Sequence, residues 1–118
     1  QFYGPSANTP MFYTAADIFA LPTLYEPFGL VVLEAMSHGV PVLVSRFAGA
    51  SELITDAKDG MLIQDPFNPR EIGAQLCRMK DPMLRATLAE NGRKLAARYT
   101  LERNTREIIA AVEALIAG

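Results

Sequence analysis

The stretch IFALPTLYEPFGLVVLEAMSHGVPVLV, residues 18–44, decides the fold of this chain. Ile18 to Leu21 is a short apolar run ended by a proline, as expected of a strand buried on both faces. A helix is predicted from Gly29 to Ser37, with Gly39 in its C-cap position, and a second buried strand from Pro41 to Val44. Two strands joined through a helix predict a parallel sheet with helices on its faces.

The alternation of strands and helices continues on both sides of that stretch. Further strands are predicted at residues 1–4 and 61–63, and further short helices at 9–16 and 50–54. Three long helices follow, at about 70–80, 82–98 and 101–117. The predicted fold class is therefore α/β, with an α/β portion over residues 1–65 and a helical portion over 66–118 of one partial domain.

Composition narrows the class of protein. The chain has 118 residues and a net charge of -2, and half of its residues are apolar. A nucleic-acid partner is not expected, because such proteins carry a basic face. No apolar run reaches the length of a membrane helix, so we expect no direct membrane insertion. A single cysteine, Cys77, is predicted to be buried on a helix and fits a reducing, cytoplasmic location.

Glu26 and the glycine that follows it make the loop after the first buried strand chemically informative. Gly29 opens a helix, so the N–H groups near Leu30 and Val31 have no partners inside that helix. They point toward the carboxyl ends of the strands, where ligands bind in open parallel sheets. The positive end of the helix dipole adds to them, which predicts an anion site suited to a diphosphate.

A second carboxylate, Glu34, lies eight residues after Glu26, on the predicted helix that Gly29 opens. The two carboxylates cannot act as a pair on one helix face, so we expect them to bracket the phosphate site from two sides. Each can accept hydrogen bonds from neighbouring sugar hydroxyls. The spacing accommodates a hexose on one side of a diphosphate and a ribose on the other.

These residues resemble the Glu-x7-Glu motif of the retaining glycosyltransferases of family four, which have the two-domain GT-B fold. The similarity extends over nearly the whole chain, and its motifs come in the right order and spacing. The matching segments besides residues 26–34 are Ala15–Thr23, Glu34–Met36, Gly39–Val42, Gly49, Glu52–Ile54 and Asp59–Ile63. The resemblance implies a Rossmann-like sheet that belongs to the C-terminal, donor-binding domain, and we expect the chain to be a segment of a longer protein.

The resemblance also assigns roles to individual residues. It makes Glu26 the catalytic residue that contacts the donor sugar, and it gives Glu34 the ribose hydroxyls. The sugar and diphosphate would be bound by Phe28, Gly29, Leu30 and Val31. It implies a nucleoside diphosphate sugar as donor substrate, with no cofactor. No cluster of His, Cys or carboxylate residues has the spacing of metal ligands, so no metal site is predicted. The family also places a basic Arg and Lys pair against the diphosphate, and this chain has no counterpart of that pair.

The resemblance is compatible with two functions. The first is the donor-binding part of an enzyme that moves a hexose to an acceptor with retention of configuration. Its partner would be the N-terminal, acceptor-binding domain of the same enzyme, in the cytoplasm or at the membrane periphery. The alternative is a non-catalytic nucleotide-sugar-binding or scaffold fragment. In either case we expect the isolated segment to be inactive and to self-associate through an uncovered sheet edge near Gln1–Gly4.

Several residues have plain structural interpretations as well. Glu26 could be a solvated loop residue, and Glu34 an exposed residue on a helix. His38 is expected to cap the last carbonyls of its helix, and Ser51 either caps a helix or contacts a ligand. The apolar stripe of the last helix, at Ile108, Ile109, Val112, Leu115 and Ile116, is predicted to pack in the core, with an interfacial membrane helix as the alternative.

Overall fold

The computed structural model describes residues 1–118 and contains three strands and five α-helices. The strands are β1 (Phe19–Leu21), β2 (Val42–Ser45) and β3 (Met61–Ile63). The helices are α1 (Thr9–Ala15), α2 (Leu30–Ser37), α3 (Pro69–Arg78), α4 (Pro82–Ala97) and α5 (Leu101–Ala117). A 3-10 helix, Gly49–Leu53, connects β2 to β3. The predicted α/β class with a helical C-terminal part is confirmed.

The three strands form one parallel sheet in the order β1-β2-β3. Phe19 pairs with Val42, and Leu43 pairs with Met61. Helix α2 makes the crossover from β1 to β2, as parallel neighbours require. Because these strands all run the same way, their carboxyl ends meet at one edge of the sheet.

The strand predicted at Gln1–Gly4 does not form. Gly4 has a φ of +71°, which is outside the extended region, and Pro5 after it has no N–H to donate to a ladder. The ring of Tyr3 packs instead against Phe12 of α1, with centroids 5.6 Å apart. The edge strand on this side of the sheet is therefore β1 itself.

The two faces of the central strand β2 belong to two apolar clusters. Val42 and Val44 pack with Val32, Ala35 and Met36 of α2 on one face. On the other face, Leu43 packs with the fully buried side chains of Met61, Ile63, Met79 and Leu88. Each fully buried apolar side chain of this size contributes about 1.5–3 kcal/mol to the free energy of unfolding. This two-sided core fixes β2, and with it the loops at the carboxyl edge.

Helix α5 lies outside this core. None of its residues is buried, and Leu115 and Ile116 are each 81% exposed. The predicted core packing of its apolar stripe is therefore wrong, because helical periodicity marks an apolar face without saying what covers it. Cys77 on α3 is likewise exposed and not buried as predicted. None of the helices combines the length and the apolar character that crossing a bilayer requires.

Candidate functional site

Two loops meet at the carboxyl edge of the sheet and are joined through their backbones. One follows β1 and carries Glu26, and the other follows β2 and contains Phe47. Glu26 N–H donates to the carbonyl of Phe47 over 3.4 Å, and Gly49 N–H donates to the carbonyl of Glu26 over 2.7 Å. A parallel bridge between Glu26 and Ala48 results. The pairing of β1 with β2 thus resumes beyond the strands and fixes the backbone of Glu26.

The Glu26 side chain turns back toward the first residues of α2. Its Oε1 atom lies 3.5 Å from the nitrogen of Phe28 and 3.4 Å from that of Gly29. Both distances are at the long end for hydrogen bonds, so the contacts are weak. The half-buried carboxylate therefore faces the N-terminus of α2, while the Phe28 ring is 75% exposed.

The N-terminus of α2 carries backbone N–H groups that are not hydrogen-bonded within the chain. Gly29 adopts a left-handed conformation with φ of +66°, and a Cβ there would lie 3.0 Å from that of Ala50. The first backbone hydrogen bond runs from Val32 N–H to the Gly29 carbonyl over 2.9 Å. The N–H groups of Leu30 and Val31 have no acceptor within the chain. Unpaired donors at the positive end of a helix form a site that can bind an anion.

Glu34 lies on the same exposed face of α2 as Leu30 and Val31, four residues after Leu30 and three after Val31. At 1.5 Å per residue, it is about 6 Å down the helix axis from Leu30. Its Oε2 atom accepts a hydrogen bond of 3.0 Å from the hydroxyl of Tyr13. Glu34 is thus not simply an exposed helix residue, because a residue of α1 donates a hydrogen bond to its carboxylate.

Tyr13 on α1 is a residue of this site that the sequence analysis missed. Its ring is buried; it stacks on the ring of His38, with centroids 5.2 Å apart, and meets the ring of Phe19 at a tilt, with centroids 6.1 Å apart. Burial raises the pKa of the Tyr13 hydroxyl, and the hydrogen bond to Glu34 raises it further. Tyr13 comes close to Glu34 only in the tertiary fold, so no local sequence pattern indicated that Tyr13 belongs to the site.

Other polar side chains near the two loops make local structural contacts. The Ser51 hydroxyl donates to the carbonyl of Arg46 over 2.9 Å, and the fully buried Ser45 hydroxyl accepts from Phe47 N–H over 3.2 Å. His38 caps α2 as predicted, with Nδ1 2.8 Å from the Glu34 carbonyl oxygen. The guanidinium of Arg46 lies 4.6 Å above the Phe47 ring, which places a cation on the second loop.

A cavity of about 300 Å³ opens between α2 and the start of α5. Leu30 and Leu33 line it on one side, and Leu101 and Arg103 on the other. The Arg103 guanidinium is engaged by Glu107 at 2.7 Å and by the Arg98 carbonyl at 2.8 Å. The structure contains no group of three His, Cys, Asp or Glu side chains arranged to hold a metal ion.

The structure thus gathers five of the predicted residues around the N-terminus of α2 and puts the sixth farther along the same helix face. The five are Glu26, Phe28, Gly29, Leu30 and Val31, and the sixth is Glu34. The arrangement can bind an anion between two carboxylates that accept hydrogen bonds from hydroxyl groups.

Residues 1–95 match the family described as glycosyl transferases group 1. The chain is 35% identical over 107 residues to a D-inositol 3-phosphate glycosyltransferase of Corynebacterium urealyticum, covering 89% of this chain and 25% of that protein. It is 34% identical over 118 residues to the lipopolysaccharide core biosynthesis mannosyltransferase LpsB of Rhizobium meliloti, covering 98% of this chain and 34% of LpsB. The chain thus spans a quarter to a third of the length of these relatives.

A similar solved structure is Anabaena HepE in complex with UDP and glucose. It superimposes with a TM-score of 0.86 at 30% identity, covering 97% of this chain and 32% of HepE.

Proposed function

Because this chain belongs to the family of group 1 glycosyl transferases, we propose that it is the donor-binding part of a hexosyltransferase. The substrate is a nucleoside diphosphate hexose, and the hexose passes to an acceptor with retention of configuration. The observation that carries the proposal is the pair of unpaired N–H groups, on Leu30 and Val31, which lie between two carboxylates.

The N-terminus of α2 binds the diphosphate in this proposal. The N–H groups of Leu30 and Val31 donate to phosphate oxygens, and Gly29 lets the ligand approach the backbone closely. As the sugar departs, negative charge develops on the diphosphate that leaves. Donors that are already oriented toward that charge stabilise the transition state without reorganising.

Glu26 binds the hydroxyls of the donor sugar in this proposal and holds the sugar for attack by the acceptor. Its backbone is fixed by Phe47 and Gly49, which allows its carboxylate to keep one position. The weak contacts of that carboxylate with Phe28 and Gly29 are easily exchanged for contacts with a ligand.

Glu34 binds the ribose hydroxyls in this proposal. It lies about 6 Å from Leu30 along the axis of α2, so a nucleotide whose diphosphate binds at Leu30 extends along the helix toward it. The complex of HepE with UDP and glucose supports a nucleoside diphosphate and a hexose as ligands of this fold. We assign the acceptor site to the N-terminal domain of the full-length enzyme, in keeping with the share of its relatives that this chain spans.

The test uses the full-length protein with UDP and GDP as probes. We expect one of the two to bind measurably by calorimetry, and the matching nucleotide hexose to be consumed in the presence of acceptor. The anomeric configuration of the product, read by NMR, should equal that of the donor. Binding without transfer to any acceptor would favour a non-catalytic role. Inversion of the anomeric centre, or no binding of either nucleotide, would contradict the proposal.

A further inference from the structure

We propose that Tyr13 is a positioning residue that orients the Glu34 carboxylate toward the ribose and so adds to the preference for ribose over deoxyribose nucleotides. The inference rests on the proposed function, since it takes Glu34 as the ribose ligand. It assigns a specificity role to a residue outside the Glu26–Glu34 segment.

The contact leaves Glu34 with one oxygen occupied and one free. Tyr13 donates to Oε2 over 3.0 Å, and no group of the chain donates to Oε1. A carboxylate oxygen has two lone pairs, so Oε1 can accept from hydroxyls of a ligand. Tyr13 therefore holds the outer part of the side chain while leaving its acceptor available.

The Tyr13 ring is itself fixed by packing, as a residue that orients the Glu34 carboxylate must be. Its ring is 9% exposed and packs against the rings of His38 and Phe19. His38 Nδ1 in turn lies 2.8 Å from the backbone carbonyl oxygen of Glu34, so the ring that stacks on Tyr13 is itself held at the end of the helix that carries Glu34. A glutamate on an exposed helix face otherwise samples many rotamers, and fixing one before binding reduces the entropy lost on binding.

The hydroxyl of Tyr13 remains a donor throughout the neutral range. Burial, and then the Glu34 carboxylate, raise the pKa of that hydroxyl above its ordinary value of 10.0. The Tyr13 hydroxyl therefore keeps its proton, and its ability to donate to Glu34, across the neutral range.

The experiment compares wild-type and Tyr13→Phe full-length protein, with UDP and its dideoxyribose analogue as probes. Loss of one hydrogen bond to a carboxylate should weaken UDP binding about 3–10-fold. Binding of the dideoxy analogue should change less than about 2-fold, because it lacks the hydroxyls that Glu34 would bind. The KM for the nucleotide sugar should rise with the UDP dissociation constant while kcat stays unchanged, since Tyr13 does not touch Glu26.

Two further variants separate the inference from the proposed function. Tyr3→Phe is the matched control, because Tyr3 is 70% exposed and its hydroxyl makes no hydrogen bond. Glu34→Ala should abolish the difference between UDP and the analogue, and Tyr13→Phe should then have no additional effect on binding. If Tyr13→Phe lowers the melting temperature too far for titration, the series is repeated with Gly73→Ala, which stabilises α3.

The titrations distinguish failure of the Tyr13 role from failure of the proposed ribose contact. Equal weakening of both nucleotides by Tyr13→Phe, or no weakening of either, overturns the positioning role while the donor-binding function stands. If Glu34→Ala leaves the preference for ribose intact, the proposed ribose contact fails, and the inference fails with it.

Discussion

The carbonyl oxygen of Pro27 occupies the space that a β-carbon on Gly49 would need, because the two atoms would lie 2.1 Å apart. The obstacle is backbone and not the end of a flexible side chain, so it cannot rotate away. Gly49 also donates its N–H to the carbonyl of Glu26. The absence of a side chain at position 49 therefore sets how closely the Glu26 loop approaches the second loop.

Gly49→Ala should displace the Glu26 loop and weaken nucleotide binding. Overpacking of this kind costs about 1–3 kcal/mol of unfolding free energy. The measurements are chemical denaturation and calorimetric titration with UDP or GDP. Gly73→Ala is the control, since a Cβ there meets nothing within 4 Å and a helix gains about 0.5–1 kcal/mol from the change. Unchanged stability and binding in Gly49→Ala would show that the loop can shift without consequence.

The two carboxylates should respond differently to truncation in the full-length enzyme. Glu26→Ala should lower kcat by about 10²–10³-fold, because the sugar would no longer be held in the transition state. Glu34→Ala should act mainly on donor affinity, at about 1–3 kcal/mol for the lost charge-assisted hydrogen bonds. Steady-state kinetics distinguishes the two, and Glu113→Ala on exposed α5 serves as control. Equal effects on KM alone in both variants would refute this division of roles.

Local sequence was sufficient to predict the elements around the site. An apolar run ended by Pro22 marked β1, an apolar run that follows Pro41 marked β2, and Gly29 and Gly39 marked the ends of α2. These signals work because a strand buried on both faces must be continuously apolar and because a left-handed residue favours glycine. The same logic led to error at Gln1–Gly4, where Phe2 and Tyr3 suggested an extended strand, but Tyr3 packs on α1 and Phe2 is fully exposed.

Long-range contacts were beyond prediction for a physical reason. The hydrogen bond between Tyr13 and Glu34 joins residues 21 positions apart on different helices, and its existence depends on how those helices pack. The exposure of α5 is similar, since an amphipathic pattern is the same whether its apolar face meets the core, another domain or solvent. Sequence periodicity determines which face is apolar, and only tertiary structure determines its surroundings.

Stability of the chain should fall in alkaline solution because of Tyr13. Its folded pKa lies above the ordinary value of 10.0, so the unfolded chain loses this proton first as pH rises. The stabilisation is fully present below pH 10.0 and is lost as pH climbs through the raised folded pKa. Denaturation at a series of alkaline pH values should show this decline, and Tyr13→Phe should lack that part of it. A decline of the same size in Tyr13→Phe would assign it to other groups.

Residues 1–118 alone should not transfer sugar. The N-terminus of α2 supplies only about 0.3–1 kcal/mol of charge stabilisation in solvent. No other domain closes over the site to exclude water, which weakens electrostatic contacts. The edge of β1 is also free to pair with another molecule, so we expect self-association by light scattering. Measurable transfer, or steady hydrolysis of donor, by a monodisperse monomer would mean that this segment holds a complete active site.

Helix α5 has no side chain in the core, and the last buried residue before it is Ala96. The match to the family ends at residue 95, almost where the core ends. We therefore expect substitutions on α5 to cost less unfolding free energy than substitutions in β2 or α2, so that what α5 contacts in the full-length protein constrains its sequence more than the core does. Over evolutionary time this helix can diverge at its own pace, and its sequence should follow the identity of its neighbours more closely than the chemistry at Glu26.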